Sequence, residues 1–459
     1  MENSKAKGFG ARGWLLIVVL FTSFMMFQVF TNFPLNILKD FYGGDKAIAP
    51  IMSIGTFIGI VLQIIISSFV GRIKSIKRVA AVVGCIALIA AIVVAAVPVK
   101  FNDQHAPQVT IPMLWYAAYL LVNVCSTMYA LFFLSILAGQ WFPTRKGTVM
   151  GIATIAYPFC NGVIGFFAAT ATNPLGEGKE PAIFMAFLPF IIVCAIGYVL
   201  FLVGISDYPE QVGAYRDNNK NLTPEIAKKM MEEEIENKKT SVWHTGHTFI
   251  SRDFWFASVT CGLILMAAIG TMVRSQDIIA YFPNLDYKII MLIVAIFGAI
   301  GSWLLGVLDT AVGTKKSMLL ATCLMILAGI LGTIAAFNQI GVLATISMVC
   351  IAMSMGASSN YTVSVAAQYW RREDFQSVFA CLNPLSNIFN ALAAVVVTFI
   401  INSNSTGNNI PAVFAFVGIL GVVAFILMSL FSAKHVKETD DKYREAAGKP
   451  LDDALVGRK

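Results

Sequence analysis

The sequence predicts an all-α integral membrane protein, with twelve transmembrane helices in two pseudo-symmetric six-helix bundles. Three observations predict it. Apolar residues make up 57% of the 459 and charged residues only 13%, where a soluble domain carries about 25% charged residues. The apolar residues come as long uninterrupted runs. A polar stretch in the middle divides those runs six and six, and short loop motifs recur at equivalent places in the two halves.

A helix needs about 20 apolar residues to cross the hydrocarbon core. Runs of that kind lie near 14–36, 47–70, 79–98, 112–140, 148–171 and 182–206. After the polar stretch they lie near 254–273, 288–308, 317–337, 341–366, 376–401 and 411–432. These are numbered spans 1 to 12. The first run begins at Trp14 and continues past Phe33, longer than the roughly 7–15 residues of a signal-peptide core. It reads as a membrane span and not a cleaved leader.

An even number of spans puts both termini on one side, and the basic residues decide which. Only Lys39, Lys46, Lys100, Lys179, Arg274 and Lys288 fall in the loops opposite the termini, which leaves 27 of the 33 Lys and Arg on the terminal side. Both termini are expected in the cytoplasm, and the chain in the plasma membrane. The net charge of +7 follows from this bias, so no nucleic-acid partner is expected. The eight cysteines all sit in apolar runs with no CxxC or Cys/His cluster. That pattern argues against a disulfide framework or a metal, and no cofactor is expected.

The polar stretch gives the domain boundaries: a first bundle over 1–206, a linker over 207–252, a second bundle over 253–433 and a tail over 434–459. Within the linker, Thr223 is a good N-cap and Pro224 suits the first helical position. The run that follows to Lys239 predicts a short amphipathic helix at the cytoplasmic surface.

The halves also match locally. Gly71 is followed by Arg72, Lys74, Lys77 and Arg78 after span 2, and Asp309 by Gly313, Lys315 and Lys316 after span 8. Gln140-Trp141-Phe142-Pro143-Thr144-Arg145-Lys146-Gly147 after span 4 matches Gln368-Tyr369-Trp370-Arg371-Arg372-Glu373 after span 10. Internal repeats of this sort build many transporter folds.

With these residues the chain resembles the major facilitator superfamily along nearly its whole length. Gly306-Val-Leu-Asp309 to Gly313-x-Lys315-Lys316 is similar to that family's 2–3/8–9 loop signature, with one extra residue between the acid and the glycine. The first-half copy has Gly71 where the acid is expected. The resemblance implies a latch between the bundles on the cytoplasmic side, carried by Arg72, Arg145, Asp309, Gly313, Lys315, Lys316 and Arg371. The Trp141 to Ile152 segment and Asp207-Tyr-Pro209-Glu-Gln-Val-Gly213 are similar to segments of the oxalate/formate antiporter and monocarboxylate carrier branches. The family's fold implies a central path lined by spans 1, 4, 7 and 10.

The candidate site is built from amides and hydroxyls. All 26 acidic residues map to loops or span ends, and the four histidines lie outside the spans. Buried acids are what proton-coupled carriers commonly titrate, so a facilitator or exchanger fits better. Asn383, Asn387 and Asn390 share one face of span 11 by their spacing. Gln28 and Asn32 in span 1, Asn123 and Tyr129 in span 4, Tyr157 and Asn161 in span 5, and Asn360 and Tyr361 in span 10 add to them. Arg274, after span 7, is the one cation that could hold an anion, and its alternative role is a pair with Asp277. Buried amides need partners in hydrocarbon, and a watery path or a neighbouring helix can supply them. No clustered acids, histidines or phosphate loop mark an enzyme. The expected function is alternating-access transport of a small organic monoanion, monocarboxylate-like, or a polar metabolite, by a monomer in the lipid bilayer. The competing reading is an efflux exchanger for amphipathic compounds.

Overall fold

The computed structural model describes residues 8–32, 45–97, 113–160, 162–163, 183–219, 221–404, 408–449 and 451. Long helices account for the spans. Span 1 is Gly10–Phe27 and span 2 Asp45–Ser67. Span 3 is Ile76–Ala96, capped by Ser75, whose hydroxyl accepts from Arg78 N. Span 4 runs from Met113 to Trp141 and span 6 covers Ile183–Gly204. In the second half the helices are Arg252–Val273, Tyr287–Val312, Thr314–Asn338, Gly341–Tyr369, Phe375–Ile401 and Ile410–Leu430.

Among the described residues, 11 helices are long and apolar enough to cross a membrane. The twelfth expected span, 148–171, begins as the helix Lys146–Ala153 and is described only to residue 163. Large apolar side chains such as Val203, Phe399, Ile89 and Ile419 stand exposed around the outside. A bilayer is the solvent that such a surface fits, because helices satisfy their own backbone there.

Asp309 lies inside its helix and not beyond it: span 8 continues to Val312 and breaks at Gly313, whose φ of 95° only glycine adopts readily. Spans 1 and 4 each contain a π-helical turn, at Gln28–Asn32 and Thr127–Phe133. Such turns displace side chains along a helix and are frequent at functional sites. Tyr119 supports the first one by donating from its hydroxyl to Thr31 O at 2.6 Å.

The linker helix is Pro224–Lys239, and Thr223 Oγ1 accepts from Ile226 N. A tail helix, Ala433–Ala446, follows span 12. Gly8, the linker and the tail lie on one face of the bundle, called here the terminal face. Contacts tie them together: Arg145 Nη1 donates to Gly8 O at 2.7 Å, and Trp243 Nε1 to Asp440 Oδ1 at 2.8 Å.

The halves meet along two seams, span 2 against span 11 and span 5 against span 8. The second is packed backbone to backbone. A Cβ on Gly151 would lie 2.8 Å from Gly306 Cα, and one on Gly298 would lie 2.5 Å from Pro158 Cβ.

Candidate substrate path between the two halves

Aromatic rings of the first half face hydroxyls of the second. Tyr157 of span 5 sits 5.5 Å from Phe24 and 6.3 Å from Phe27 of span 1, ring centre to ring centre. Its hydroxyl accepts from Ser359 Oγ of span 10 at 3.4 Å, across the halves. Gln28 is buried one residue past Phe27, at the start of the π turn. Asn161 lies outside the described residues, as does the side chain of Asn32.

Span 4 uses its polar residues within its own half. Asn123 Nδ2 donates to Tyr119 O at 2.7 Å, and its Cβ packs against Gly55 of span 2. Tyr129 rests on Gly84 of span 3 and on Tyr198 and Phe201 of span 6. In span 10, Tyr361 donates to Ser317 O at 2.9 Å, inside the second half. Asn360 reaches the other half, donating to Gly147 O at 3.3 Å.

Span 11 presents its three asparagines towards span 2. Asn383 Nδ2 donates to Gln63 Oε1 at 2.9 Å, and Asn387 Nδ2 donates to Asn383 O at 2.9 Å. Asn390 is buried one turn further on. Arg274 is buried after span 7, and its Nε lies 2.8 Å from Asp277 Oδ2. Its charge is therefore compensated within its own segment.

The terminal end of the path is closed. Thr148 bonds Thr310 through its backbone N at 3.0 Å and its hydroxyl at 2.9 Å. Asp309 is packed against Gly147, where a Cβ would collide with its carboxylate. Phe379 of span 11 stacks on Phe132 of span 4 at 6.1 Å and on Phe375 at 5.7 Å, and Phe375 covers Gly139. Apolar rings packed this tightly exclude water from the route.

Around this closure lies a layer of charge. Glu234 of the linker helix meets Arg216 at 2.7 Å, Lys238 at 3.1 Å and Arg372 at 2.6 Å. Burial alone would raise its carboxyl, but Lys238, Arg372 and Arg216 outweigh burial and hold it below the usual carboxylate range. Arg372 also donates to Gln140 O of the first half at 3.2 Å. Arg371 turns instead to Asp440 of the tail helix at 2.9 Å. Arg444 completes that cluster with Asp374 at 2.6 Å and Glu373 at 2.8 Å.

The other expected latch residues take varied places. Lys315 Nζ caps the end of span 12 by donating to Phe431 O at 2.7 Å. Arg145 lies over the Phe9 ring at 4.5 Å. Arg72 and Lys316 are exposed. Sequence reasoning missed Gln63, Phe132, Phe379, Arg372 and Glu234. For Arg372 the dibasic pair was a visible signal, but nothing local separates its role from that of Arg371.

Residues 285–457 match the family model for the Major Facilitator Superfamily. No curated protein matches the chain. Among solved structures, the chain is similar to XylE, described as a major facilitator superfamily proton:xylose symporter, bound to 6-bromo-6-deoxy-D-glucose. The identity is 14% and the TM-score 0.68, over 94% of this chain and 98% of that one. It is also similar to a partially occluded inward-open XylE from E. coli, at 12% identity and a TM-score of 0.64 over 91% and 96% of the two chains. At these identities the likeness is one of fold. The chain thus has the fold of a major facilitator superfamily transporter along nearly its whole length, and its second half matches that family's model.

Proposed function

We propose that the chain moves a small polar organic solute, held by hydrogen bonds between its two halves, and that the halves rock to open one side at a time. The observation that carries this reading is the opposition of two unlike walls. Phe24, Phe27 and Tyr157 stand on one side and Ser359 on the other, and Asn383 of span 11 meets Gln63 of span 2 elsewhere between the halves. Aromatic faces take the apolar face of a solute, while amides and hydroxyls read its oxygens. The first bundle is taken as 1–206, the linker as 207–252, the second bundle as 253–433 and the tail as 434–459. The basic bias of the loops supports a cytoplasmic terminal face in the plasma membrane.

Acidic residues lie in loops and at span ends, with Asp309 in the last turn of span 8. This supports facilitation or exchange over proton coupling. A monocarboxylate is a second reading, favoured by the buried guanidinium of Arg274. Its pair with Asp277 makes a neutral polar solute the better fit. Uptake into proteoliposomes tests both. The panel would hold D-xylose and other polyhydroxy compounds, monocarboxylates and amphipathic dyes, with and without solute inside. Saturable uptake of a polar solute, insensitive to a protonophore, is expected. Movement of dyes alone would sink the proposal in favour of an efflux exchanger, and collapse with a protonophore would overturn the uncoupled reading.

A further inference from the structure

The two seams between the halves are built from different chemistry. Beyond the Thr148–Thr310 bonds at the terminal end, spans 5 and 8 meet through glycine, alanine and proline. Spans 2 and 11 meet through polar side chains: Ser53 Oγ donates to Ala391 O at 2.9 Å, and Asn383 Nδ2 to Gln63 Oε1 at 2.9 Å.

Gln63 is 0% exposed, and its Nε2 has no acceptor among the described residues. A buried donor left unmade costs about 1–3 kcal/mol, and hydrocarbon offers no water to relieve it. Replacing the glutamine by an apolar residue would remove that cost, since a leucine fills similar space. The amide is therefore suited to a state in which an acceptor arrives.

The surroundings say which state. Asn383, bonded to Gln63, heads the amide row that continues through Asn387 to Asn390. Pro384 sits inside the helix there and cannot donate to Ala380 O, so span 11 is bendable beside the pair. Phe379, one turn towards the terminal face, belongs to the aromatic closure. Gln63 thus lies where the amide row meets the seal, on the half opposite the row.

We propose that Gln63 lines the substrate path when the terminal face opens, and that its amide N–H donates to an oxygen of the transported solute as a specificity-determining contact. The placement stands on the geometry alone, while the solute contact rests on the reading of a hydrogen-bonding polar substrate. Spans 2 and 11 part at this level on opening, which releases Gln63 from Asn383 and presents both ends of its amide to the path.

Two measurements test it. Gln63→Cys, in a chain whose eight native cysteines are replaced by alanine, should react with a water-borne, membrane-impermeant methanethiosulfonate applied to the terminal face. No reaction from either side would overturn the placement, leaving Gln63 a sealed packing residue. In uptake of the transported panel solute, Gln63→Met should raise KM about fivefold or more, the size of one hydrogen bond. Ser53→Ala, which removes only a tie between the halves, should change the maximal rate and leave KM within about twofold. Equal changes in rate with KM unmoved in both variants would reduce Gln63 to an inter-half tie. If the parent chain moved no polar solute, the functional reading would fail and the solute contact with it, while the thiol reaction would still decide the placement.

Discussion

Arg371 and Arg372 are adjacent in sequence and serve opposite partners. Arg371 reaches Asp440 of the tail helix at 2.9 Å, and Arg372 reaches Glu234 of the linker helix at 2.6 Å and Gln140 O of the first half at 3.2 Å. One loop thereby holds the tail on one side and closes the terminal face on the other.

The two arginines should separate on substitution. Arg372→Ala removes a contact that must break whenever the terminal face opens. The face should open more readily, by about 1.5–3 kcal/mol for hydrogen bonds to charged groups. A cysteine placed at Gly139 would report it by faster alkylation. Arg371→Ala should leave that rate unchanged and speed amide hydrogen exchange in the tail helix 433–446.

Gly151→Val should disable the seam of spans 5 and 8. The added carbons would meet Gly306 Cα and Ser302 O, which are backbone and cannot swing aside. Overpacking of this kind costs about 1–3 kcal/mol. A lower melting temperature in detergent together with lost uptake is expected. Wild-type stability and transport would show that the seam opens there.

The docking of the tail helix should depend on pH through Asp374. Burial raises its carboxyl to about 6, against the opposing pull of Ser241 and Arg444, with Glu373 and Asp440 raising it further. A carboxyl raised in the folded state takes up its proton more readily there than in the unfolded chain. Its stabilising effect is complete below about 3.9 and is lost as pH rises through about 6. Hydrogen exchange of residues 433–446 should therefore slow between pH 7.5 and 5.5, after correction for the intrinsic rate. Asp374→Asn should flatten that dependence, and an unchanged dependence would move its origin elsewhere.

Tyr157→Phe keeps the ring among Phe24 and Phe27 and deletes the hydroxyl that meets Ser359. One neutral hydrogen bond is worth about 0.5–1.5 kcal/mol. KM for the transported solute should rise about three- to tenfold, with thermal stability nearly unchanged. A fall in stability with KM constant would assign Tyr157 to packing.

Much of the fold was legible because apolar character is a local property. A run such as Phe184–Gly204 is apolar all round whatever it packs against, and so it reads as a span from the sequence alone. The cap at Thr223 was legible for the same reason, being set by the residue itself. Span 5 was the exception in the described structure, since only part of it is seen.

The site was legible in kind but not in detail. The sequence put amides on one face of span 11, because residue spacing fixes which side chains share a helix face. It did not say that Asn383 would meet Gln63, 320 residues away, or that Tyr129 would turn to Gly84 and Asn360 to Gly147. Those partners depend on how each helix is rotated and which neighbour it packs against. The sequence by itself determined an apolar, repeated, twelve-span chain whose acids stay at the ends of its helices. Only the tertiary structure decided which polar groups cross between the halves, because a hydrogen bond in hydrocarbon is made by helices brought side by side and not by the order of residues within one.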